Sequence, residues 1–202
     1  TGTVGEDMEL VVRLHHHCRK VGIPHRITFV PDPVAWTEVP ETLSELARQR
    51  DRWQRGLLQT LTRHIGMLGN PRYGKVGLLG FPFFFFFEML GPLIELAGYV
   101  AFAVTVAMGA ASPVYMVAFI TLAFVLGMNL SIAAVAQEEL SFRRYPRLRD
   151  VLHLFGLAVI ENFGYRQLTT LWRARGLIRA LRGARDWGER KRKGFAVDPQ
   201  RV

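Results

Sequence analysis

The spacing of apolar positions along this chain changes twice. Over residues 1–75 they alternate with charge, from about residue 76 they are nearly continuous, and after about residue 172 charge returns. In the first stretch Glu6 and Asp7 precede Met8, Leu10, Val11, Val12 and Leu14. That spacing predicts a helix with acidic residues in its first turn, where the helix dipole favours them. Gly22 and Pro24 end it. Ile27, Phe29 and Val30 form a short strand-like run, closed by Pro31-Asp32-Pro33. Residues 37–40 predict a turn, with Thr37 or Thr42 placed to cap a helix from about 42 to 66. Asn70-Pro71 and Gly74 break the chain again.

Residues 76–108 are almost wholly apolar but divided by Pro82 and Pro92. The stretch exceeds the ~20 residues that cross a bilayer. It reads as an approach helix over 76–90, interfacial or re-entrant, and a crossing over about 91–110. The phenylalanines at 83–87 suit a surface against lipid. Glu88 and Glu95 then fall in or near the membrane and should face protein or water. Residues 114–136 carry no charge at all and predict a second crossing. Residues 151–172 are apolar enough to notice, yet include His153, Glu161, Asn162 and Arg166. They predict a third membrane helix, re-entrant or spanning, in which Glu161 and Arg166 satisfy polar groups at depth or line a path.

Charge bears on that choice. The 202-residue chain is 50% hydrophobic and carries a net charge of +9. This pairing suits a membrane protein with a basic cytoplasmic side better than a nucleic-acid binder. The connector before residue 151 holds Arg143, Arg144, Arg147 and Arg149. The tail at 173–193 holds nine Lys or Arg against Asp186 and Glu189. Basic flanks on both ends favour the same side of the membrane, which a re-entrant segment satisfies. One cysteine, Cys18, excludes an intramolecular disulfide. The first 20 residues have no secretory-signal pattern.

The candidate chemistry sits in Gln49-Arg50-Asp51-Arg52-Trp53, on the second helix. Positions three and four apart share a helix face, so Gln49, Arg52 and Trp53 point the same way. Arg forks onto a diphosphate with paired charge-assisted hydrogen bonds. Trp offers a flat apolar surface with one polar edge, which suits a sugar ring. The set predicts a nucleotide-sugar site held against the bilayer. The run His15-His16-His17 fits a metal poorly, because adjacent helical positions fan out.

Gly5-Glu6-Asp7, then Thr37-Glu38-x-Pro40, then Gln49-x-x-Arg52-Trp53, followed by membrane segments, resemble the C-terminal half of the processive family 2 glycosyltransferases. Cellulose, chitin, hyaluronan and poly-N-acetylglucosamine synthases form this group. The resemblance implies a mainly α chain: the C-terminal part of a cytoplasmic GT-A-like α/β catalytic domain (1–75), a membrane region (76–172) and a basic cytoplasmic tail (173–202). It implies that Asp7 is the general base, taking a proton from an acceptor hydroxyl as that oxygen attacks the anomeric carbon with inversion. Arg52 would contact the diphosphate and Trp53 would floor the acceptor sugar. Gln49 and Glu6 would bind acceptor or donor, leaving Arg50 and Asp51 peripheral. This chain has Gly5 where the family often has Thr. Trp187-Gly188-Glu189-Arg190 resembles a Trp-Gly-Thr-Arg element near the active-site mouth, which makes Trp187 and Arg190 further candidates.

The group binds nucleotide and Mg²⁺ or Mn²⁺ through acidic motifs including Asp-x-Asp, and this sequence contains none. No metal ligands are therefore expected in this chain, and alone it should not turn over. The expected partners are a nucleotide-sugar, a polysaccharide or lipid acceptor, and the inner-membrane bilayer, with no nucleic acid. Two other functions fit the hydropathy: a non-catalytic transport or anchoring subunit, and a non-processive enzyme transferring one sugar to a lipid.

Overall fold

The computed structural model describes residues 3–30, 37–142 and 145–183, and among these every regular element is helical. Trp187 and Arg190, with the rest of the expected tail after residue 183, lie outside the described residues. The first helix, α1 (Glu6–Val21), has Glu6, Asp7 and Glu9 in its opening turn and stops at Gly22, whose φ of 74° is left-handed. The strand expected at 27–30 is absent. Ile27, Phe29 and Val30 are exposed, and a lone strand without a pairing edge is not stable in water.

The second helix, α2 (Leu43–Arg63), opens on a capping box in which Thr42 accepts from the Glu45 amide while the Glu45 carboxylate accepts from the Thr42 amide. It packs most extensively on α7 (Tyr165–Leu181). Close approach needs a glycine here. A Cβ on Gly176 would stand 2.6 Å from the Asp51 carbonyl oxygen. The apolar core lies beside this crossing, where Leu57, Leu61 and Leu177 meet Met67, Phe81 and Met89. Each such side chain contributes about 1.5–3 kcal/mol by leaving water.

From Val76 the chain runs as one helical rod to Ala107, so the expected approach helix and crossing are continuous. Its first part is unusual: Val76–Gly80 and Phe84–Met89 are wound as π-helix around a single turn, α3 (Phe81–Phe83). Helix α4 (Gly91–Ala107) completes the rod. After a short turn, α5 (Pro113–Phe142) returns over about 45 Å at 1.5 Å per residue. Both rods are long and apolar enough to cross a membrane, and little of either is covered by protein. Phe29 touches Phe142 with ring centroids 5.8 Å apart, so α5 ends on the side where α1 and α2 lie.

The segment expected as one helix over 151–172 is two. Helix α6 (Leu148–Ile160) stops at Glu161, and Gly164, with a φ of 93°, reverses the chain into α7. The turn packs on the middle of α5. Phe163 stacks on Phe124 at 5.0 Å, Ser131 donates to Glu161 at 2.6 Å, and Asn162 and Arg166 crowd the bare backbone of Gly127. These tertiary contacts override a local pattern that would carry one helix through.

Candidate functional site

Helix α2 presents two faces with different partners. Gln49, Arg52 and Trp53 occupy one, with Gly56 three and four residues on. Gly56 is where α1 begins to pack. A Cβ on Gly56 would lie 2.7 Å from the Gly5 Cα and 2.8 Å from the Gly5 nitrogen, so the backbones touch. The Val4 amide donates to Gln59 Oε1 at 3.0 Å and fixes the register. Glu6 and Asp7 follow Gly5 directly and are exposed. Gly5 therefore meets α2 one turn beyond Arg52 and Trp53, and from there α1 runs along α2 until Glu9 reaches Arg63 and His64.

Trp53 is 53% exposed. The Arg50 guanidinium lies over the indole at 4.7 Å from its centroid, and Arg50 also donates to the Tyr165 hydroxyl at 3.3 Å. A cation over indole is worth about 0.5–1 kcal/mol when exposed. Arg50 thus braces the indole and ties it to the start of α7. Asp51 serves the packing of α2 on α7. It is buried, and its Oδ1 accepts from Arg55 at 2.9 Å and from Arg179 at 3.0 Å.

The other face of α2 carries residues that the motif did not flag. Gln54, 2% exposed, donates to the carbonyls of Met89 at 3.0 Å and Glu88 at 3.3 Å, and accepts from Arg173 at 2.9 Å. Arg173 pairs with the Glu88 carboxylate at 2.8 Å. Glu88, expected to face protein or water, does so here. Glu95 likewise meets Arg166 at 3.0 Å and accepts from Tyr99 at 2.6 Å.

Also in the opening turn of α1, Glu9 is buried and lies 3.4 Å from Arg63 and 3.5 Å from His64, at the end of α2. His16 and His64 approach Nδ1 to Nδ1 at 3.0 Å. Burial, then the nearby His64, push the His16 pKa below its ordinary value. His15 contacts His25 at 2.9 Å, and its pKa is also lowered, chiefly by burial. Among the described residues no three His, Cys, Asp or Glu side chains stand close enough to hold a metal. The described residues do not fit a divalent ion.

The chain belongs to glycosyl transferase family group 2, whose model matches residues 1–132. Proteins of this family move a sugar from a nucleotide-sugar donor to an acceptor. No curated protein and no solved structure matches the chain significantly.

Proposed function

We propose that this chain is the acceptor-side part of a membrane-bound, inverting glycosyltransferase that extends a polysaccharide. The observation that supports the reading is the Gly5–Gly56 backbone contact, which joins the start of α1 to α2 one turn beyond Arg52 and Trp53. The exposed Asp7 carboxylate takes the proton from the acceptor hydroxyl. The freed oxygen attacks the anomeric carbon while the bond from that carbon to the diphosphate breaks on the opposite side. Single displacement inverts the centre. Arg52 offsets the growing diphosphate charge with its fork of donors, and the acceptor ring lies on Trp53 with Gln49 and Glu6 beside it. A divalent cation belongs to the proposal only through groups outside the described residues.

In the same reading Val76–Ala107 and Pro113–Phe142 cross the inner membrane. Helices α6 and α7 form a re-entrant hairpin whose tip reaches the midplane against Gly127, near the centre of α5. Irregular backbone at that depth is tolerated where protein covers it. Both ends of the hairpin, and the α1–α2 unit, are then cytoplasmic, which the Arg-rich connector favours.

A second reading, transfer to a single lipid-borne acceptor, draws support from an apolar groove lined by Tyr99, Phe102, Phe119, Phe124 and Phe163. One experiment tests both. Membranes carrying the full-length enzyme are given radiolabelled nucleotide-sugar, the product is sized on a gel, and its anomeric configuration is read by NMR. The proposal expects an inverted, polymeric product that depends on Trp53. A single-sugar lipid product favours the second reading, and retention of configuration removes Asp7 as sole base.

A further inference from the structure

Pro92 sits two positions into α4 and has no N–H to give, so the Glu88 carbonyl four residues back loses its helical donor. The Met89 carbonyl loses its donor as well, because the Leu93 amide turns to Leu90 at 3.0 Å instead. Two orphaned carbonyls inside a membrane-entry helix would be costly. They are satisfied by side chains from elsewhere. Gln54 of α2 takes both, and Arg173 of α7 takes the Glu88 carbonyl as well as its carboxylate. Arg173 also donates to Gln54, which closes the junction. Gln54 follows Trp53 directly in sequence. The bend in the membrane rod at Leu90 is therefore bonded to the helix that carries Arg52 and Trp53.

We infer that Gln54 and Arg173 are positioning residues that set the acceptor-binding face of α2 at a fixed height over the membrane entry. The inference rests on the function proposed above. If α2 is held here, the Trp53 surface and the membrane rod keep one geometry, and the acceptor hydroxyl stays aligned with the donor carbon. Loosening the junction leaves the donor bound but lets the acceptor drift, so water competes for the anomeric carbon. The diagnostic quantity is the ratio of sugar transferred to sugar hydrolysed, which a simple loss of folded enzyme does not change.

Full-length enzyme in native membranes is assayed with radiolabelled nucleotide-sugar for both products. Gln54→Leu and, as a closer match in length, Gln54→Met are expected to lower the transfer-to-hydrolysis ratio by about tenfold. Arg173→Met does the same, and Arg173→Lys recovers part of the loss. Donor KM stays within about twofold. The double variant Gln54→Leu with Pro92→Ala separates positioning from mere carbonyl satisfaction, since replacing the proline restores a backbone N–H that can donate to the Glu88 carbonyl. Positioning predicts that the ratio stays low. A restored ratio, or an unchanged ratio in the Gln54 and Arg173 single variants, overturns the inference while wild-type transfer leaves the function standing. Absence of transfer by the wild-type enzyme ends both.

Discussion

Substituting Gly56 by Ala tests the contact on which the site depends. The new methyl would stand 2.7 Å from the Gly5 Cα and 2.8 Å from its nitrogen, both backbone atoms that cannot rotate aside. Carbon atoms rest at about 3.5–4.0 Å. The start of α1 must therefore move by about 1 Å, carrying Glu6 and Asp7 with it. Overpacking of this kind costs about 1–3 kcal/mol. Replacing a mid-helix glycine by alanine offsets about 1 kcal/mol. The net loss in stability is then small, about 0–2 kcal/mol. The loss in rate is not small, because a misplacement of about 1 Å between reacting groups costs about a hundredfold. The assay is initial-rate sugar transfer by the full-length enzyme, with melting temperature measured in parallel. Gly156→Ala in α6 is the control, since a methyl there meets nothing within 4 Å. A Gly56→Ala enzyme transferring within about threefold of the wild-type rate would refute the reasoning.

Other consequences follow from the charged contacts. Asp51→Asn removes the carboxylate that Arg55 and Arg179 share, and with Arg55 only 2% exposed the cost should approach about 3 kcal/mol; an unchanged melting temperature contradicts this. For His16 the folded pKa is lowered from 6.5, so between the two values the unfolded chain binds more protons. Its contribution is fully present above about pH 6.5 and is lost as pH falls through the folded value. Thermal melts from about pH 7.5 down to about pH 5.5 should show a decline that His16→Ala reduces, and an equal decline in both proteins sinks the attribution. Glu95→Gln strips the carboxylate from Arg166 and should lower the yield of folded protein in membranes, read by protease resistance; full resistance argues that the pair is dispensable.

Much of this fold is legible in the sequence because its signals are local. The acidic first turn and Gly22 bracket α1, Thr42 caps α2, and the uncharged run at 114–136 lies within α5. The spacing of Gln49, Arg52 and Trp53 puts them on one face without any tertiary information. What escapes depends on distant partners. The break at 161–164 comes from packing on Gly127, on a different helix, and Asn162 and Gly164 alone do not signal it. Gln54 reads as an ordinary helix residue because its partners are 34, 35 and 119 positions away. Pro92 is the one local hint, since a proline in an apolar rod leaves carbonyls for something to satisfy. The partners of Asp51 and Arg50 escape the sequence for the same reason, since Arg179 and Tyr165 lie on α7. The strand expected at 27–30 does not form because alternation of apolar residues does not supply a neighbour to pair with.

The most direct measurement is donor binding and sugar transfer in the full-length enzyme carrying Asp7→Asn, an isosteric change at an exposed position. If the opening turn of α1 supplies the base, nucleotide-sugar affinity stays close to wild type while transfer falls by about a thousandfold or more. Transfer within about tenfold of wild type, at unchanged affinity, would take the proton-accepting role away from Asp7 and leave the α1–α2 contact without its catalytic meaning.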